Sequence, residues 1–142
     1  MVVVLLLMPF LSAHADAEGS KEEAQPSSPE QEAIASAETW LVLVDEGDYA
    51  KSWETAAEYF KKAVTQEQWE QSLQAVRAPL GALISREVRS ATYATELPGA
   101  PDSEYVIIQF TTVFENKKSA TETVTPMKEK DGYWKISGYY IK

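Results

Sequence analysis

Cysteine is absent from the 142-residue sequence, and histidine occurs once, as His14. With no cysteine there is no disulfide, no thiolate nucleophile and no cysteine-held metal. His14 falls in an apolar N-terminal stretch, Met1–Ala15, which reads M-V-V-V-L-L-L-M-P-F-L-S-A-H-A and ends in the small-x-small cleavage pattern Ala13-His14-Ala15. Read as a signal peptide over residues 1–15, this stretch takes the one histidine with it. The mature chain then has no histidine-based metal site and no Ser-His triad. Its stability rests on packing alone, for which the remaining length suffices.

Basic residues are scarce as well. Thirteen Lys and Arg stand against 22 Asp and Glu, a formal net charge of −9. Six acidic residues and one lysine lie between Asp16 and Glu32, so −5 of that charge is carried there and −4 by the rest. Phosphate backbones and anionic membrane surfaces call for a basic face, so nucleic acid is not an expected partner. The apolar leader is shorter than the ~20 residues of a membrane-spanning helix, and no integral membrane segment is expected once it is removed. It departs from the signal-peptide pattern in having no Lys or Arg before its apolar core. A periplasmic or secreted location is the expectation.

What is present begins with a polar run, residues 16–28, rich in Glu and Ser and without periodicity, which reads as a disordered acidic linker. A single domain follows over residues 29–142. Ser28-Pro29-Glu30-Gln31 is a helix start with a capping residue, a first-turn proline and a capping-box glutamine. Ile34, Ala37, Leu41 and Val44 recur at helical spacing, with Trp40 beside the stripe, and the helix runs to about Glu46. Gly47 suits the position past its end, and Asp48 can cap the next helix. That second helix carries Tyr49, Trp53, Ala56, Ala57, Phe60 and Val64 on one face. Thr65 and Gln68 open a third, continued by Trp69, Leu73 and Val76 and ended by Pro79 and Gly81.

From Ala82 the period becomes alternating. Leu83–Thr95, Glu104–Phe114, Ser119–Lys130 and Tyr133–Ile141 read as four strands. Asp131-Gly132 is a hairpin signal for a two-residue type I′ turn, which pairs Lys130 with Tyr133, Glu129 with Trp134 and Met127 with Ile136. Met127, Trp134 and Ile136 then share a face with Gly138 and Tyr140. A bulge at Pro126 brings Val124 into phase and bends the sheet.

Four runs carry a family resemblance. They are W-L-V-L-V-D-E-G-D-Y-A-K-S-W at Trp40–Trp53, R-A-P-L-G-A-L-I-S-R at Arg77–Arg86, L-P-G-A-P-D-S-E-Y at Leu97–Tyr105 and G-Y-W-K-I-S-G-Y-Y-I at Gly132–Ile141. Together they resemble a bacterial family catalogued as domain of unknown function 4019, over Ile34 to Lys142. The resemblance implies an exported bacterial protein with a nuclear-transport-factor-like (cystatin-like) α+β fold. In that fold three N-terminal helices pack on a bent four-stranded antiparallel sheet to form a cone. No activity comes with the family.

Such folds often enclose a cleft between helices and sheet, and enzymes built on them use a carboxylate base with a hydrogen-bond-donating Tyr or Asp. Asp45 and Asp48 beside Tyr49, with Tyr105, Tyr139 and Tyr140, are candidates of that type. Each also has a structural reading: Asp48 as a cap, Asp45 as a surface residue of the last turn, the tyrosines as core bodies with wet hydroxyls. Arg77, Arg86 and Arg89 lie in one span and suit salt bridges or an anion. Trp40, Trp53, Trp69 and Phe60 read as core, with Trp40 and Trp53 between the layers. The cleft candidates for ligand contact are Trp40, Tyr49, Trp53, Arg86 and Tyr105. No catalytic residue, cofactor or metal is assigned. The expectation is a non-catalytic module that binds a small apolar ligand or a protein partner, as monomer or homodimer. The alternatives are a proton-transfer enzyme using a buried carboxylate and tyrosine, and a homodimeric assembly module.

Overall fold

A computed structural model describes residues 26–142. The expected signal peptide, residues 1–15, and most of the expected acidic linker lie outside the described residues. Four helices precede a four-stranded sheet: α1 (Pro29–Asp45), α2 (Tyr49–Glu54), α3 (Glu58–Ala63), α4 (Gln66–Val76), then β1 (Leu83–Ala94), β2 (Tyr105–Phe114), β3 (Lys117–Lys128) and β4 (Trp134–Ile141). The sheet is an antiparallel meander in the order β1-β2-β3-β4. α1 packs against all four strands, so its buried stripe of Ala33, Ala37, Trp40, Leu41 and Val44 is the helical side of the core. Val106, Ile108, Phe110, Val124 and Ile136 contribute to the sheet side.

The helix starts follow local chemistry. Ser28 and Gln31 close one capping box, Thr65 and Gln68 another, and the Asp48 carboxylate accepts from the Lys51 N–H. Gly47 has φ +79°, the conformation needed past a helix end.

The helix count differs from the three expected. The segment Tyr49–Val64 is two short helices, parted where Ala57 adopts an extended conformation (φ −61°, ψ 147°). The Ala57 N–H is spent on the Ile136 carbonyl, 2.9 Å away in β4, and Ala56 and Ala57 are buried there. A tertiary hydrogen bond thus outweighs a helical face that is continuous in sequence, since propensity is a weak prior against packing.

The last hairpin also differs. No non-glycine residue has positive φ among the described residues, whereas a type I′ turn needs it at both central positions. Gly132 alone (φ +86°) takes that conformation, its N–H bonds to the Glu129 carbonyl, and the Glu129 N–H bonds to the Tyr133 carbonyl. The loop has three residues instead of two, and the pairing slips by one: Lys128 opposes Trp134, Met127 opposes Lys135 and Pro126 opposes Ile136. A bulge does occur beside Pro126, but its extra residue is Ser137 on β4, since Thr125 pairs with Gly138. Beyond that bulge Val124 opposes Tyr139, and Tyr139, not Tyr140, points into the core.

Candidate functional site

Two arrangements stand out, one sealed and one open. The sealed one lies where the C-terminal end of α1 meets β1, β3 and β4. Alternation along β1 and β2 sets Arg86 opposite Thr112, and alternation along β3 turns Glu122 to the same inner side. The Arg86 guanidinium bridges two carboxylates. Its Nε and Nη2 donate to Glu122 at 2.6 and 3.2 Å, and its Nη1 and Nη2 donate to Asp45 at 2.7 and 2.9 Å. Such forked pairs are the strong form of charge-assisted hydrogen bond. Thr112 donates to Glu122 Oε1 at 2.6 Å, and the Tyr139 hydroxyl donates to Glu122 Oε2.

Glu122 is fully buried, and four donors fill its four acceptor positions. It has no lone pair left with which to take a proton from a substrate. Burial, the adjacent Glu122 charge and the hydrogen bond to it push the Tyr139 phenol well above its ordinary range. Arg86 is drawn down by burial but held above its usual value overall by its bonds to Asp45 and Glu122. Arg77 completes the group from the end of α4. It lies over the Phe114 ring at 4.4 Å and donates to the Gly81 carbonyl at 2.6 Å and to Asp45 at 3.3 Å. Two arginines and two carboxylates are thereby balanced in charge, as buried ions must be.

An aromatic cluster adjoins this network. Tyr139 packs edge-on against Trp40 (5.3 Å between centroids), Trp69 lies 6.2 Å from Trp40, and Phe60 is T-shaped to Trp69 at 4.9 Å. The buried Ser52 ties the two indoles together: its carbonyl accepts from Trp40 Nε1 at 2.8 Å and its hydroxyl from Trp69 Nε1 at 2.9 Å.

The open arrangement is a groove of about 520 Å³ between α1, α2 and the start of β4. Trp40, Leu43, Trp134 and Ile136 make it apolar, and Lys51 and Lys135 flank it. Its size lies within the range of small-molecule sites, about 300–1,000 Å³.

The five expected cleft residues do not converge. Only Trp40 lines the groove. Tyr49 and Trp53 are half-buried at the edge of the core, with Trp53 Nε1 donating to the Val64 carbonyl at 2.7 Å. Arg86 belongs to the sealed network, and the hydroxyl of the buried Tyr105 donates to the Pro101 carbonyl. Asp45 is no surface residue; Arg77 and Arg86 enclose it. Arg89 is the extra residue of a bulge in β1 and is exposed, apart from the other two arginines. Glu122 was missed as a site residue because alternation along β3 shows that it faces inward but not which cation meets it there. The signal was its place two residues from Ala120 and from Val124, an acid in an inward row.

Residues 36–139 match the profile of a family described as "Protein of unknown function (DUF4019)". The chain belongs to that family. The matched span takes in every residue of the sealed network. None of the curated proteins matches the chain.

Proposed function

We propose that this DUF4019 domain is a non-catalytic binding module, exported to the periplasm or secreted, whose ligand or partner occupies the α1–α2–β4 groove. The observation that carries this reading is the saturation of Glu122. The buried carboxylate and tyrosine that a proton-transfer enzyme would use are engaged with Arg86, Thr112 and each other, with no acceptor position left for a substrate proton. The open apolar surface lies elsewhere, over Trp40 and Trp134. The helices-then-meander order, with helices packed on a bulged antiparallel sheet, supports a nuclear-transport-factor-like cone. The apolar start ending at Ala13-His14-Ala15 supports export.

Two measurements test this. A neutral apolar dye such as Nile red should bind stoichiometrically to the folded protein, and Ala35→Phe, which fills the groove, should abolish the binding without lowering the melting temperature. Dye binding unaffected by that variant would move the site off the groove. For export, the intact mass of protein recovered from its host should begin at Asp16, and a chain retaining Met1 would reject the signal-peptide reading.

A further inference from the structure

The polar groups around the groove restrict what it can hold. Three hydroxyls line it, and the proton of each is already committed: Ser36 donates to the Trp134 carbonyl at 2.7 Å, Thr39 to the Ala35 carbonyl at 3.0 Å and Thr55 to the Lys51 carbonyl at 2.8 Å. Both indole N–H groups are likewise spent, Trp40 on the Ser52 carbonyl and Trp134 on Glu32 at 3.0 Å. Lys135 is engaged with Asp131 at 3.5 Å and Glu129 at 3.8 Å. Lys51 is exposed and has no ion-pair partner among the described residues. Among the described residues no Asp or Glu lines the groove, in a protein with a marked excess of acidic residues. Among the described residues the surface offered is therefore an apolar trough with one unused cationic donor, Lys51, at its side. It follows α1 from Ala35 to Leu43, about 12 Å at 1.5 Å per residue.

We infer that the groove binds a small single-chain amphiphile with an anionic head, a monocarboxylate of alkyl type. Its chain lies over Trp40, Leu43 and Trp134, and its carboxylate pairs with Lys51. This rests on reading the domain as a binding module and adds the ligand's chemical class. A carboxylate accepts without needing to donate, which suits a site whose remaining donor is an ammonium. The apolar chain supplies affinity through surface removed from water, and the lysine supplies selection of the head.

The experiment is a calorimetric titration of the folded domain with dodecanoate and, separately, dodecanol, both kept below aggregation. Dodecanoate is expected to bind at least ten-fold more tightly. Lys51→Met should erase that preference while leaving the alcohol's affinity unchanged, and Lys135→Met should leave the preference in place. Equal affinities for acid and alcohol in the unaltered protein, or a preference that follows Lys135, would overturn the head-group assignment while the groove stands. Binding of both compounds that survives Ala35→Phe would place the site elsewhere and overturn the inference. Failure of both compounds to bind, with the fold intact, would remove the small-ligand reading of the groove as well.

Discussion

Glu122 shows how one side chain can be costly to isolate and yet replaceable in company. Converting it to glutamine leaves Arg86 and Arg77 facing the single charge of Asp45 inside the protein. Glu122→Gln should lower stability by about 3–5 kcal/mol in urea unfolding, the usual cost of breaking a buried pair. The double variant Arg86→Met/Glu122→Leu keeps Asp45 with Arg77 and should cost clearly less than the two single changes added together. Tyr139→Phe removes a single hydrogen bond to a charged acceptor, worth about 1.5–3 kcal/mol. Tyr139 also sets an alkaline limit. Its phenol is held above the ordinary value of 10.0 by burial, by the Glu122 charge and by its bond to Glu122. Below that value both folded and unfolded chains keep the proton, and the full contribution is present. Above it the unfolded chain releases a proton that the folded one retains, so stability falls as pH rises. Urea midpoints compared at neutral pH and above pH 10 should fall less for Tyr139→Phe than for the unaltered protein. An identical decline in both would show that Tyr139 is not responsible.

At the scale of elements, two glycines with similar φ make different demands. Gly132 (φ +86°) closes the β3–β4 hairpin, and a Cβ there meets nothing within 4 Å. Gly132→Ala should cost only the left-handed strain, about 1–2 kcal/mol. Gly81 (φ +75°, ψ −157°) sits in a region open essentially to glycine alone, and its Cβ would come within 3.0 Å of the Glu115 Cβ. Its carbonyl also accepts from Arg77. Gly81→Ala should therefore lower the melting temperature more than Gly132→Ala, and the reverse order would mean that the α4–β1 corner is looser than its geometry shows. The break between α2 and α3 belongs to this scale too. Its apolar face was legible as one helix, and only the Ile136 carbonyl waiting on β4 ends α2 before Ala57.

For the whole molecule, the two tryptophans of the Trp40–Trp53 run separate core from edge. Trp40 is 4% exposed, touches Trp69 and Tyr139 and donates to Ser52. Trp40→Ala should cost about 3–5 kcal/mol, as truncation of a buried large aromatic does. Trp53 is only partly buried, so the expectation that both lie fully between the layers divides, and Trp53→Ala should cost about 1–2 kcal/mol. Urea denaturation with unchanged m-values checks both. Among the described residues no helix is long and apolar enough to cross a membrane.

Helix starts, the αL glycine at position 47, the α-before-β order and the existence of four strands were written in the sequence, because each depends on residues within one turn or one hairpin. Register was not. Asp131-Gly132 permits a two-residue or a three-residue loop, and the choice moves every pairing between β3 and β4 by one while Trp134 and Ile136 stay inward. The extra residue Ser137 then placed Tyr139 against Glu122 and left Tyr140 outside. Register and bulge both belong to the packing of β4 beneath α1, which no local pattern contains. The partnership of Asp45, Arg86 and Glu122 likewise rests on bonds between residues 41 and 36 positions apart. Charges of both signs are scattered through the chain, and only the closing of the sheet beneath α1 determined which of them would be buried together.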